Sequence, residues 1–183
     1  MKKIICLILV VSIFSSCNQG NQKADVIPGN DTAASAKDPG DLPFKPLYSS
    51  SWSDNVSDED LKMVLMSYKD WSSGNMKGLS AAMGDTVEYD MNSGKYQKLS
   101  NPALMKMWST TRDSLSSVTI DMHAWRRMYS TDKKEGYIVT WYKETDTYKD
   151  GKVDSAYYHD INQVKDGKIV WYSQYKRPAL PRK

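Results

Sequence analysis

The chain has 183 residues, of which 40% are hydrophobic and 26% charged, with 10 Gly, 7 Pro, 2 Cys and a formal net charge of +3. This composition fits one ordinary globular domain with appendages and excludes a collagen, a coiled-coil rod and a disulfide scaffold. Lys2 and Lys3 belong to a leader expected to be removed, and without them the 25 basic residues become 23 against 22 acidic ones, so charge offers no reason to expect nucleic acid as a partner.

Met1-Lys2-Lys3 is a positive start, Ile4 to Phe14 an apolar run, and Phe14-Ser15-Ser16-Cys17 ends it with small residues before a cysteine. The run is far shorter than the roughly 20 residues that span a bilayer. The segment 1–16 resembles a bacterial lipoprotein signal peptide, with Phe14 in place of the usual Leu. That resemblance implies cleavage before Cys17, lipidation of its thiol and stable attachment to a membrane through two or three acyl chains. Asn18 and the absence of an acidic run after it imply a lipid-anchored, outer-membrane location facing the periplasm of the cell envelope. With Cys6 discarded and Cys17 lipidated, the folded part has no thiol for a disulfide, a metal site or a nucleophile.

From Cys17 to residue 53, Pro28, Gly29, Pro39, Gly40, Pro43 and Pro46 lie among Asn, Ala, Asp and Ser, too little apolar surface to offset ordering entropy. This reads as a tether, with Phe44, Leu47, Tyr48 and Trp52 at its end apolar enough to dock on the domain that follows. The domain is placed at 54–178 and a basic tail at 179–183. Ser57 before Asp58-Glu59-Asp60 caps a helix whose apolar stripe is Leu61, Val64, Leu65 and Tyr68, with Gly74 as its stop. Asn75 caps a short helix over Met76 to Met83. Thr86 to Asp90 alternates as a strand, and Asn92-Ser93-Gly94 is a turn. Ser100-Asn101-Pro102 opens a third helix with the stripe Leu104, Met107, Trp108, Thr111 and Leu115. Four long strands then follow, Val118 to Tyr129, Gly136 to Thr147, Val153 to Val164 and Lys168 to Tyr175. They are separated by Asp132 to Gly136 and by the hairpin pairs Asp150-Gly151 and Asp166-Gly167. The expected fold class is α+β, cone-shaped, with three helices packed on a strongly curved antiparallel sheet.

This order resembles the nuclear-transport-factor-2-like superfamily, in particular its SnoaL-like branch, over about Val56 to Arg177. Its local pieces are Tyr68-Lys69-Asp70-Trp71-Ser72-Ser73-Gly74-Asn75 and the stretch from His159 through Asp166-Gly167-Lys168-Ile169 to Tyr175. The resemblance implies a conical pocket between helices and concave sheet, and a superfamily whose members include isomerases, cyclases, dehydratases and proteins that only bind. Alternation puts Trp171, Ser173, Tyr175 and Arg177 on one face and Tyr157, His159 and Ile161 on one face. The resemblance implies that these faces are concave, so the expected pocket residues are Tyr68, Trp71, Trp108, Tyr157, His159, Trp171, Ser173, Tyr175 and Arg177. Arg177 stands where SnoaL-like cyclases carry an acid, and a cation there suits a carboxylate or phosphate.

The candidate catalytic residues are His159, whose imidazole titrates near neutral pH, Tyr175, and Asp90, which with Glu88 falls near the base of related isomerases. His159 can equally be a hydrogen-bonded histidine among tyrosines. His123 and His159 have no neighbours at metal-ligand spacing, so no metal and no cofactor are expected. The aromatics, 6 Trp, 12 Tyr and 2 Phe, read as a pocket wall that would include Trp125 and Trp141, or as packing on a pleated surface. No phosphate loop or serine elbow is present. Three functions follow: a non-catalytic module binding a small, partly apolar ligand; a small isomerase, cyclase or hydrolase using His159 and Tyr175; and an interaction or homodimer module using the outer sheet face.

Overall fold

The computed structural model describes residues 42–179. The leader, Cys17, most of the tether, Arg182 and Lys183 lie outside the described residues. No helix among them is long and apolar enough to cross a membrane.

Helix α1, Asp58–Ser73, begins where a hydroxyl and three carboxylates favour it: Ser57 Oγ accepts from the Asp60 amide at 2.9 Å. It ends at Gly74, which adopts φ +77°, a left-handed conformation that costs a residue with a Cβ about 1–2 kcal/mol. Helix α2, Met76–Ala82, follows at once under an Asn75 cap, and Gly78 lets Asp70 and Asn75 close in to where a Cβ would stand. Helix α3, Asn101–Asp113, has its proline in the first turn, as expected, but Ser100 gives no side-chain cap.

The strands are β1 (Trp52–Ser53), β2 (Met83–Asp90), β3 (Tyr96–Ser100), β4 (Leu115–Ser130), β5 (Glu135–Tyr148), β6 (Val153–Lys165) and β7 (Lys168–Pro178). The last four form the expected antiparallel meander, and Asp166 and Gly167 both take positive φ, 50° and 68°, at the β6–β7 hairpin. The fully antiparallel sheet, however, is corrected to a mixed one of order β1-β4-β5-β6-β7-β2-β3, because β2 joins parallel to β7. That pairing spans the whole domain in sequence and leaves no local signature. Two strands were also unforeseen: β3, which returns along β2, and β1, inside the expected tether. Tyr48 and Trp52 pack with Tyr137, and Ser49, buried, donates to Asp132 at 2.6 Å, so the packed part starts before residue 54. Phe44 and Leu47 stay exposed.

The core lies between the helices and one face of the sheet: Val64 from α1, Leu79 from α2 and Leu104 from α3 meet Val87, Ile138 and Ile169. Arg112 draws α3 to the end of α1 by donating to the carbonyls of Trp71 at 3.1 Å and Ser72 at 3.1 Å. That end of α1 depends on the turn at Gly74. Gly74→Ala is expected to lower stability by about 1 kcal/mol, a fall of a few degrees in the thermal midpoint, with Gly74→Asn closer to wild type. Calorimetric melting of the three proteins checks this, and an unchanged alanine variant refutes the role given to the turn.

Candidate functional site

Strand alternation and one bulge determine which side chains face the helices. On β5 the inward set includes Ile138, Thr140, Tyr142, Glu144 and Asp146, and on β6 it includes Tyr158, Asp160, Asn162 and Val164. Cross-strand register makes these into rows, Thr140–Asp160–Gln174 and Ile138–Asn162–Tyr172–Tyr89. Strand β7 changes parity through an irregularity in its pairing: Val164 pairs with Ile169 but Gln163 pairs with Trp171, so Val170 is extra. Ile169 and Tyr172 consequently both face inward.

Between this face and helices α1 and α3 is a cavity of about 300 Å³. Its rings come from α1 (Tyr68, Trp71), α3 (Trp108) and the sheet (Tyr142, Tyr158, Tyr172). Tyr68 and Tyr142 meet edge to face at 5.0 Å, and Tyr142 stacks on Tyr158 at 5.2 Å. Among the described residues, none that lines the cavity is Lys, Arg or His, whereas Glu144, Asp146 and Asp160 all do.

Asp160 is 1% exposed. Its Oδ2 accepts from the Tyr142 hydroxyl at 2.8 Å and from the Tyr68 hydroxyl at 3.0 Å. The Tyr68 proton is then committed, so Thr140 Oγ1 at 2.8 Å and Asn162 Nδ2 at 3.1 Å both donate to that phenol oxygen. Asn162 is itself fixed by donating to the Ile138 carbonyl at 3.2 Å. Asp160 Oδ1 is buried and has no hydrogen-bond partner among the described residues. Burial pushes the Asp160 carboxyl up to about 7 against the pull of the two phenols and the Gln174 amide. Burial also raises the Tyr68 and Tyr142 phenols, with the Asp160 charge acting in the same direction, so they remain donors.

Glu144 is 9% exposed and accepts from the Trp71 indole at 3.2 Å. Burial, then the neighbouring Asp146 and Asp160 charges, push its carboxyl up to about 8. Asp146 is raised by burial against the attraction of Lys176, and its Oδ1 is buried without a partner. The cavity thus holds carboxyls that exchange protons near neutrality in a mostly aromatic wall, the setting in which an acid and a base are tuned.

Of the residues expected here, Tyr68, Trp71 and Trp108 line the cavity. Tyr157, His159, Trp171, Ser173, Tyr175 and Arg177 do not; they belong to the other face, correcting the expected parity. His159 stacks on Trp141 at 4.9 Å and lies 5.7 Å from Tyr175, which is 58% exposed. Arg177 lies over Tyr157 at 4.9 Å, so it is not a cation aimed at a bound anion in the cavity. Trp171 packs on Tyr137 with Tyr48 and Trp52 nearby. Asp90 pairs with Ser173 on that same side, one residue past the inward Tyr89. Trp125 and Trp141 are 50% and 38% exposed rather than cavity wall.

The residues missed include Tyr142, Glu144, Asp146, Tyr158, Asp160, Asn162, Tyr172 and Gln174. A signal did exist on β6. The set Ala156, Tyr158, Asp160, Asn162, Val164 ends in apolar residues, whereas Tyr157, His159, Ile161, Gln163, Lys165 runs out to an amide and an ammonium, marking the wet face.

No family model and no curated protein matches the sequence. Solved structures do match. An LEH-like epoxide hydrolase from M. tuberculosis superposes with a TM-score of 0.55 at 13% identity, over 65% of this chain and 83% of that one. An NTF2-like protein of unknown function from Burkholderia pseudomallei gives 0.53 at 12%, over 66% and 92%. TerC, co-crystallised with polyporic acid, gives 0.53 at 13%, over 66% and 92%. The chain therefore has the nuclear-transport-factor-2-like fold, as the sequence resemblance implied.

Both buried carboxyls keep their protons at pH values where an unfolded chain has lost them. Between about pH 4 and pH 8 the folded state thus binds more protons, and stability falls as pH rises through that window. Asp146 adds to this trend, whereas Asp132, lowered by hydrogen bonds from Ser49 and Ser130, acts only at more acidic pH. The thermal midpoint is expected to be higher near pH 5.5 than near pH 8.5, and the slope to flatten when Asp160→Asn and Glu144→Gln are combined. A midpoint that climbs toward alkaline pH contradicts the assignment.

Proposed function

We propose that the domain is an acid–base enzyme acting on a small, largely apolar molecule held in the cavity, with Asp160 as general base and Glu144 as general acid. The observation that carries this reading is the arrangement around Asp160: a fully buried carboxyl, one oxygen held by two phenols and the other left for a reacting proton. In an isomerisation, Asp160 Oδ1 takes a proton from a substrate carbon and Glu144 returns one to another atom. In a hydrolysis, Oδ1 takes it from the attacking water while Glu144 protonates the leaving oxygen. Both schemes conserve protons and electrons, and neither needs a cofactor. The likeness to an epoxide hydrolase, and to a protein that holds polyporic acid, supports a fold suited to small molecules. His159 and Tyr175, on the other face, have no part in it.

The test is turnover of a panel of small ketones and epoxides, followed by mass spectrometry in deuterated and in oxygen-18 water. One class should exchange or hydrolyse, Asp160→Asn should slow it by roughly 10²- to 10⁴-fold, and His159→Ala should leave it unchanged. Turnover that survives Asp160→Asn refutes Asp160 as the base, and binding without exchange in every class supports a purely binding module instead.

We also propose that the segment 1–16 is a leader removed before Cys17 and that lipid on Cys17 tethers this enzyme to the cell envelope, facing the periplasm. Expressed in a bacterium, the chain should incorporate labelled palmitate and fractionate with membranes, and Cys17→Ser should do neither. Unlabelled wild type in the soluble fraction refutes the anchor.

A further inference from the structure

The carboxyls of the cavity rise from different rows of the sheet. Asp160 shares a row with Thr140, whereas Glu144 lies four residues further along β5, about 13 Å of strand, with Asp146 beyond it. No three acidic or histidine side chains among the described residues are grouped to hold a metal ion. An anionic ligand would meet these acids without any lining cation to offset them. A neutral apolar ligand would leave the buried Asp146 Oδ1 without a donor.

The chain supplies an ammonium of its own near this acidic stretch. Lys176 projects from β7 with its Nζ 5.7 Å from the centre of the Tyr158 ring and 3.3 Å from Asp154, and its charge acts on Glu144 and Asp146. Aromatic faces and carboxylates together are the recognition chemistry of an organic cation.

We propose that the ligand of this cavity is a primary or secondary amine in its protonated form. Its ammonium pairs with Glu144 and Asp146 near Tyr158, and its apolar body extends along Tyr142 toward Asp160. The unpartnered Asp146 Oδ1 calls for an N–H donor, which a quaternary ammonium lacks. This goes beyond the enzymatic reading and shares only its cavity: toward such a ligand Glu144 is an ionised counter-ion, not the general acid.

The groups facing the ammonium are Tyr68 from α1, Arg112 from α3, Tyr142, Glu144 and Asp146 from β5, Asp154, Tyr158 and Asp160 from β6, and Tyr172 and Lys176 from β7. Glu144 holds a proton at neutral pH and must release it to pair with a cation, so affinity should rise with pH between about 6 and 8.

The experiment is calorimetric titration of the full chain with 2-phenylethylammonium, 2-phenylethanol and 3-phenylpropionate. The ammonium should bind at least about tenfold more tightly than the alcohol near pH 7.5, with proton release seen as a buffer-dependent enthalpy, and the carboxylate should bind least. The preference should shrink near pH 5.5 in the wild type, and should vanish in Glu144→Gln combined with Asp146→Asn while alcohol binding persists. Equal or tighter binding of the alcohol or the carboxylate overturns the cation but leaves the enzymatic reading standing. An ammonium preference that survives the double substitution overturns the assignment to these carboxylates. Silence from all three probes overturns the inference, and turnover in the ketone and epoxide panel would then still report on Asp160 separately.

Discussion

Everything around the cavity depends on how Asp160 is kept out of water. An ionised carboxylate in an apolar interior is expensive unless donors replace its hydration, and here the donors come from two different elements, Tyr68 on α1 and Tyr142 on β5. The helix is therefore held to the sheet through the same oxygen that sets the acidity of the site. Tyr68 can play this part because Thr140 and Asn162 satisfy its own oxygen, leaving its proton no partner but Asp160. A chain of five polar groups thus behaves as one unit, and its single open valence is Asp160 Oδ1.

What the sequence revealed was local. The cap at Ser57, the left-handed stop at Gly74, the proline at the start of α3 and the Asp-Gly hairpin at 166–167 each need only a few neighbouring residues, and each is where those residues place it. The arrangement of the cavity is not local. It depends on β2 docking parallel beside β7, and on one extra residue, Val170, that turns the remainder of β7 over. Counting by twos from Trp171 groups the residues of β7 correctly, but alternation alone does not say which group faces the helices, and the resemblance points to the wrong one. On β6 the same holds: the alternation is right and the resemblance points to the wrong face. His159 attracts attention because imidazole titrates near neutral pH, yet burial brings the Asp160 carboxyl to the same range.

The two faces of the sheet separate two uses of aromatic residues. On the outer face Trp141, His159 and Tyr175 form a cross-strand ladder in register, with Tyr175 more than half exposed. Such a row stabilises strand pairing. On the inner face the rings instead exclude water from carboxyls, and it is the exclusion that shifts them. The same residue types therefore act as packing on one side and as solvent on the other.

The cations nearest the acids are both engaged elsewhere. Arg112 donates to the carbonyls of Trp71, Ser72 and Leu115, closing the ends of two helices, and Lys176 reaches Asp154 at the rim. A lysine or arginine aimed at Glu144 or Asp160 would favour their ionised forms and stabilise the fold at neutral pH, but it would also bring both carboxyls back toward ordinary acidity. The cavity thus gives up stability to keep two protons exchangeable near pH 7, the compromise expected where a site is needed for chemistry rather than for holding the domain together. The sheet, the turn at Gly74 and the Arg112 clasp hold together the elements whose side chains keep water from the Glu144 and Asp160 carboxyls.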